Sequence, residues 1–299
     1  VYIGTRGIYH ERLTEKLEKL GMQDIRPVTV ELDMELRNRY LEKYFAGIGR
    51  KFEKLAELPT EGGIEDAPPK AEACIYTVNS IFDKPLQVSY EPADYERPIQ
   101  VGAALTEERL SEGILTDDTG DNISRKNRQY CELTALYWIW KHAREEIVGL
   151  VHYRRHFLLP EDWVNRMLSQ GVDVVLPTPL YVAPSLEGNF KGRHDASDLD
   201  YMMEWIKENR REEYPEVQRF FQGNLYSPCN MLIARKEVLD DLCSWLFPVL
   251  DAAAEHGGQK EDSYRNRYPG FLAERMLSFF FEKYREKYRV VYSDKNFLA

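Results

Sequence analysis

The segment Gly149-Leu-Val-His-Tyr-Arg-Arg-His-Phe157 runs an apolar stretch straight into His152, Tyr153, Arg154, Arg155 and His156. Open α/β sheets bind ligands beyond the carboxyl ends of their strands. Two guanidiniums placed there can grip phosphate oxygens and stabilise negative charge on a departing group. A diphosphate is the ligand this cluster suits. The competing reading is an Arg pair held in salt bridges to the chain's many acids. Function is favoured, because neighbouring charges at a strand end point to opposite sides and are hard to bury twice.

Three further groupings carry chemistry. In Thr116-Asp-Asp-Thr-Gly-Asp-Asn-Ile-Ser-Arg-Lys-Asn127, Asp117, Asp118, Asp121 and Asn122 offer acceptors of the kind that hold sugar hydroxyls. Ser124 or Asn127 can cap the helix that follows, whose free N–H groups favour an anion. A solvated turn with a cap accounts for the same composition. Arg193-His-Asp-Ala-Ser-Asp-Leu-Asp200 follows a long polar stretch, 183–192, which reads as a lid or acceptor element. Its His194, Asp195, Asp198 and Asp200 suit a metal or acid–base pair, while Asp195 or Ser197 equally suits a helix cap. In Tyr264-Arg-Asn-Arg-Tyr-Pro-Gly-Phe-Leu-Ala-Glu-Arg275, Pro269 and Gly270 start a helix. Glu274 is then either a general base or an ion-pair carboxylate in the first turns.

Other chemistries lack their signatures. The chain has no GxxxxGK[ST] loop, no HExxH, no GxSxG elbow and no GxGxxG after a strand. Cys131 falls inside an apolar helical pattern, which argues against a thiol nucleophile. The four cysteines show no CxxC spacing and sit in apolar segments, which fits a reduced, cytoplasmic setting. A formal net charge of −10 without a long basic run excludes nucleic acid as the main partner. No stretch approaches the ~20 apolar residues of a membrane span, and no signal peptide opens the chain.

The elements that must position these residues follow from periodicity and punctuation. Residues 1–57 read as strand, helix, strand and a charged helix at 34–57, with Gly21 closing the first helix. Such a unit cannot cover both faces of a sheet, so it is expected to be the tail of an upstream Rossmann-like domain. The opening Val1-Tyr-Ile-Gly4 leads to the same expectation of a longer polypeptide. Residues 58–70, rich in Pro, Gly and acids, read as a linker. From residue 71 onward strands are expected at 73–78, 147–153, 172–176, 229–234 and 289–292, and helices near 127–144, 161–170, 197–209, 236–255 and 270–286. Pro248 is expected to kink or split its helix. The alternation implies a mostly parallel sheet covered by helices on both faces.

Pro98-Ile-Gln-Val-Gly-Ala-Ala-Leu-Thr106, Asp117-Asp-Thr-Gly-Asp-Asn-Ile-Ser124, Tyr130-Cys-Glu-Leu-Thr-Ala-Leu-Tyr-Trp-Ile-Trp140, Gly149-Leu-Val-His-Tyr-Arg-Arg155 and Gly270-Phe-Leu-Ala-Glu-Arg275 together resemble a bacterial family from capsular and exopolysaccharide biosynthesis. That family is long catalogued as a domain of unknown function and regarded as GT-A-like glycosyltransferases, some linked to galactofuranose transfer. The resemblance runs from about residue 73 to 292. It implies a GT-A-like domain at 71–299, a hexosyltransferase using a nucleotide-diphosphosugar donor, UDP-linked by expectation, and a glycan or lipid-linked acceptor. It also implies a cytoplasmic protein associated peripherally with membrane assembly machinery.

On this reading the donor lies near Thr77, Asn79, Asp118, Asn122, Asn127, His152, Arg154 and Arg155. The acceptor is assigned to 183–195 with His194 and Arg267, and the base to Glu274 or Asp195. Most GT-A enzymes hold a divalent metal with Asp-x-Asp at a strand end. Here that place carries His152-Tyr-Arg-Arg155, so no metal is expected and the two guanidiniums are expected to neutralise the diphosphate. The other readings are a non-catalytic carbohydrate-binding subunit and a metal-dependent sugar-phosphate hydrolase built on His194, Asp195, Asp198 and Asp200.

Overall fold

The computed structural model describes residues 1–4, 9–60 and 71–298. Contacts divide the chain into two compact units, Val1–Phe52 and Glu53–Ala299. The first holds two short parallel strands, β1 (Tyr2–Ile3) and β2 (Arg26–Pro27), with helices α1 (His10–Lys19) and α2 (Val30–Gly47). Gly21, just past α1, takes φ +76, which glycine reaches without steric cost. Thr29 caps α2 by accepting the Leu32 N–H at 3.2 Å.

The boundary differs from the expected one at residue 57. Leu55 and Leu58 are buried in the second unit among Trp163, Met167 and Val291. Leu55, expected in the first segment, and Leu58, expected in the linker, are apolar anchors of the second unit. The remaining linker positions, 61–70, lie outside the described residues.

The second unit is built on a seven-stranded sheet. Its strands are β3 (Ala73–Asn79), β4 (Glu96–Gln100), β5 (Leu115–Thr116), β6 (Ile147–His152), β7 (Val174–Pro177), β10 (Leu232–Arg235) and β11 (Val290–Ser293). They lie in the order β11-β7-β10-β6-β3-β4-β5, and β8 (Leu180–Tyr181) and β9 (Leu225–Tyr226) form a separate antiparallel pair. All neighbours in the large sheet are parallel except β10, which is antiparallel to both β6 and β7. The carboxyl ends of β3, β6, β7 and β11 therefore share one edge with the residues that lead into β10.

The side-chain alternation explains why the central strands read as unbroken apolar runs. Val148 and Leu150 of β6, Tyr76 and Val78 of β3, and Leu232 and Ala234 of β10 enter one core. Ile147, Val151, Ile75 and Ile233 enter the other. Helices α4 (Leu133–His142), α7 (Ala196–Asn209), α9 (Lys236–Gly257) and α10 (Tyr268–Lys283) cover the first face. Helix α5 (Trp163–Ser169) and residues 55–58 cover the second, where Trp163 is 1% exposed. The expected sheet with helices on both faces is the observed one. Gly149 fits the middle of β6 because a β-carbon there would stand 3.1 Å from both Ile75 and Ile233.

Three local expectations are corrected. Pro248 does not split its helix, which runs continuously from Lys236 to Gly257. Both Pro248 and Ser244, whose carbonyl loses its partner, are exposed, so water can satisfy that oxygen. The helix expected at 127–144 is instead α3 (Asn127–Tyr130) and α4, broken at Cys131 with φ 50. The Asn127 amide holds the break by donating to the Cys131 carbonyl at 2.8 Å and to Thr134 Oγ1 at 3.1 Å. The stretch 183–192 is no open lid: Ser185 caps α6 (Leu186–Lys191), whose Leu186 and Phe190 are fully buried.

Candidate functional site

Beyond the carboxyl end of β6 lies a cleft of about 190 Å³ lined by Cys131, Glu132, His152, Arg155, Cys229, Arg267, Gly270, Phe271 and Glu274. Four separate segments supply it: the break before α4, the end of β6, the turn into β10, and the start of α10. Cys131, Cys229 and Asn230 all take positive φ at its wall. Such conformations cost of order 1–3 kcal/mol each in non-glycine residues and gather where geometry is over-determined by function.

The polar groups are held firmly. His152 Nε2 lies 2.7 Å from the Cys229 carbonyl, and Glu274 Oε1 accepts the Cys229 N–H at 2.7 Å. Asn230 Nδ2 donates to Glu132 Oε1 at 2.8 Å and to the Gly270 carbonyl at 3.1 Å. Arg275, only 2% exposed, donates to Glu274 Oε2 at 3.3 Å and to Asn189 Oδ1 at 3.3 Å. Burial pushes the Glu274 carboxyl above its ordinary value despite Arg275, and the neighbouring Glu132 charge raises it further. Its side chain nevertheless keeps 19% of its surface exposed, so the carboxylate is desolvated yet reachable from the cleft. Burial holds His152 below the ordinary histidine value, which favours the neutral ring.

The expected Arg pair is not brought together in this cleft. Arg155 lines it, whereas Arg154 donates from Nη2 to the Lys84 carbonyl at 3.0 Å and lies over the Tyr153 ring. β6 ends at His152, and Tyr153 and Arg154 form a turn that His152 and Arg155 close with paired backbone hydrogen bonds of 3.2 and 2.9 Å, so Arg155 faces the cleft while Arg154, at the turn, anchors the segment after β3. The second guanidinium of the cleft is Arg267, assigned from sequence to the acceptor. Its Nε lies 3.0 Å from Cys131 Sγ, and burial together with Glu132 pushes that thiol up to about 12, leaving it protonated. Cys131 is therefore no nucleophile, though its place is the cleft wall and not the helix interior.

The other predicted positions are scattered. Asp117, fully buried, accepts from the Gly102 and Ala103 N–H groups at 2.9 and 3.1 Å, from Ser124 Oγ at 2.5 Å and from Thr134 Oγ1 at 2.6 Å. That carboxylate organises the turns before α4. Asp118 pairs with Arg109, Tyr137 donates to Asp121, and the Asn122 amide donates to the Asp118 and Gly120 carbonyls. Neither Ser124 nor Asn127 makes a side-chain cap hydrogen bond. Thr77 is buried inside β3 with its hydroxyl unpartnered, and Asn79 ends that strand.

Asp195 occupies the N-cap position of α7 without capping, because its carboxylate binds Lys260 Nζ at 2.8 Å, 2.5 Å from which lies Asp198. Asp200 pairs with Lys191 and His194 stacks on Phe271, so the proposed metal set of the third grouping is not assembled. Among the described residues no group of three or more His, Cys, Asp or Glu can hold a metal ion. The strand end His152–Arg155 carries an imidazole, a phenol and two guanidiniums and no carboxylate.

Glu132, Cys229, Asn230 and Phe271 escaped sequence reasoning. Glu132 had a signal: it is the one acid in the apolar run Tyr130–Trp140. Asn230 had a weaker one, since asparagine tolerates the left-handed region ahead of a strand.

A solved structure described as the WbbM bifunctional glycosyltransferase in its apo form matches with a TM-score of 0.66 at 25% identity, over 76% of this chain. The match spans only 45% of that protein. The mannosyltransferase Ktr4p from S. cerevisiae aligns over 98% of this chain and 86% of its own at 10% identity, with a TM-score of 0.40, too slight a likeness to carry a conclusion. None of the curated proteins matches the sequence. The α/β fold resembles that of glycosyltransferases. A profile described as a domain of unknown function, DUF4422, matches residues 81–286, more than half of the sequence, and the chain belongs to that family.

Proposed function

We propose that this cleft transfers a glycosyl group from a nucleotide-diphosphosugar, a UDP-sugar by first choice, to a hydroxyl of a surface polysaccharide or lipid-linked glycan. The observation that carries the reading is the convergence of Arg155, Arg267, neutral His152 and desolvated Glu274 in one cleft at the carboxyl edge of the sheet. The likeness to a glycosyltransferase supports it. The two guanidiniums meet the diphosphate and stabilise the charge that grows as it leaves. The acceptor oxygen attacks the anomeric carbon, the bond from that carbon to the phosphate oxygen breaks, and the departing nucleoside diphosphate keeps the bonding electrons. Glu274 takes the hydroxyl proton, a role its raised pKa suits.

Asp195 is a poorer base, since Lys260 holds its carboxyl below the usual range and it does not line the cleft. Asn79, at the end of β3, is the place for the nucleoside; Thr77, buried within the strand, is not open to it. Hexosyl and galactofuranosyl donors are the first to try. No divalent metal is expected, the two arginines supplying the charge. A cytoplasmic protein attached peripherally to a glycan assembly system is the setting this chemistry suits; among the described residues no helix is long and apolar enough to cross a membrane.

The test is a screen of nucleotide-sugars with mass detection of released nucleoside diphosphate, run with and without chelator. Turnover that persists in chelator supports the reading. Complete loss restored by manganese would overturn the part assigned to the arginines, and absence of any nucleotide binding would overturn the whole.

A further inference from the structure

Beside the cleft stands an aromatic group that the transfer chemistry does not use. Phe271 lines the cleft, and its ring stacks on His194 with centroids 4.1 Å apart and planes 21° from parallel. Tyr264 lies 5.0 Å from Phe271 and 5.9 Å from His194, stacked on the latter at 27°. Fully buried Phe190 backs His194 at 4.8 Å. His194 behaves here as an aromatic: burial, with Arg275 and Arg193 adding, pulls its pKa down to about 4, so the ring is neutral.

Tyr264 keeps 51% of its surface exposed although its backbone is tightly held. Lys260 bridges Asp195 and Asp198, and the Arg265 N–H donates to Asp262 Oδ1 at 2.7 Å. Buried Asn266 accepts the Lys260 N–H at 2.9 Å and donates to the Arg128 carbonyl at 3.2 Å. What sets Tyr264 apart from other exposed aromatics is its place on a hydrogen-bonded loop against Phe271, which itself lines the polar cleft. Arg193, exposed, flanks it with donors, and the Arg267 guanidinium lies over the Phe271 ring between this group and the diphosphate side of the cleft.

We propose that Tyr264 forms the acceptor platform, on which the apolar C–H face of the acceptor's terminal hexose ring stacks, with the Phe271 ring, tilted 44° to it, as the edge that joins the platform to the cleft. The inference rests on the transferase reading above. A sugar ring has one face of C–H bonds and a rim of hydroxyls. Stacking the face on Tyr264 leaves the rim free for Arg193 and carries one hydroxyl towards Glu274, which shares the cleft with Phe271. The platform thus selects ring shape, while the base selects which hydroxyl reacts. His194, assigned from sequence to acceptor binding, contributes a flat neutral ring that holds Phe271 in place.

The test is saturation-transfer NMR on the full chain with methyl α- and β-hexopyranosides as probes in the presence of UDP, together with UDP titration. The expected result is transfer to ring C–H protons of at least one probe, roughly tenfold weaker binding in Tyr264→Ala, retention in Tyr264→Phe, and UDP affinity within twofold of wild type in both. UDP binding without any probe binding, or with probe binding untouched in Tyr264→Ala, overturns the platform and leaves the donor reading standing. Failure to bind UDP, GDP, CDP and the probes alike overturns both. Loss of UDP binding in Tyr264→Ala alone marks a folding defect; Phe271→Leu then decides, weakened probe binding supporting the platform and unchanged binding refuting it.

Discussion

Arg155 and Arg267 come from segments far apart in the chain, one after β6 and one before α10, yet both reach the same cleft. If they hold the diphosphate, Arg155→Ala weakens nucleoside diphosphate binding by about ten- to a hundredfold, the range for losing a hydrogen bond to a charged group, as isothermal titration would register. Glu274 gives a pH signature. Its carboxyl titrates above the ordinary 4.5 and must be ionised to accept a proton, so kcat/KM rises with pH through that raised value. Glu274→Gln is expected to lower kcat by roughly 10²–10⁴-fold and to abolish that acidic limb in a pH–rate profile. At this scale the sequence was partly legible. His152, Arg155 and Glu274 stand out because charge interrupts an apolar run or opens a helix. The partner of Arg155 was misread as its neighbour Arg154, because which way a side chain leaves a strand end depends on what the next turn packs against. Lys84 and Pro85 offer Arg154 carbonyls that no spacing rule foretells.

Among the elements, β6 and the break before α4 do most of the positioning. Gly149→Ala places a methyl group against Ile75, Ile233 and the Leu232 carbonyl, all within 3.2 Å. Overpacking of this kind costs about 1–3 kcal/mol, which chemical denaturation would measure as a lower midpoint with unchanged slope. Asp117→Ala strands two backbone N–H groups and two hydroxyls around a buried site. A loss of about 3 kcal/mol or more is expected in the same measurement, with the cleft wall at Cys131 disturbed through Thr134 and Asn127. The central strands were legible because both their faces are buried. The split of the 127–144 helix was not, since apolar periodicity continues across Cys131 and the break is imposed by Asn127 and the Asp117 network. Two-residue β5, β8 and β9 are too short to show a period, and β4 was hidden by the polar and proline residues Glu96, Arg97 and Pro98 that begin it.

For the molecule as a whole, the alternation of strands and helices sufficed to foresee a sheet covered on both faces, but not the antiparallel β10. That reversal brings Cys229 and Asn230 to the carboxyl edge and completes the site. Glu53–Ala299 contains both cores, so a fragment of those residues is expected to unfold in one cooperative thermal transition; loss of cooperativity would show that its cores need residues 1–52. The chain carries a formal charge of −10, so an anionic donor finds its attraction only locally, at the cleft. The most direct measurement is titration of UDP, GDP and CDP into the wild-type chain and into Arg155→Ala and Arg267→Ala. The account requires that at least one nucleotide bind the wild type and that each substitution weaken it tenfold or more. Binding unchanged in both variants would contradict it.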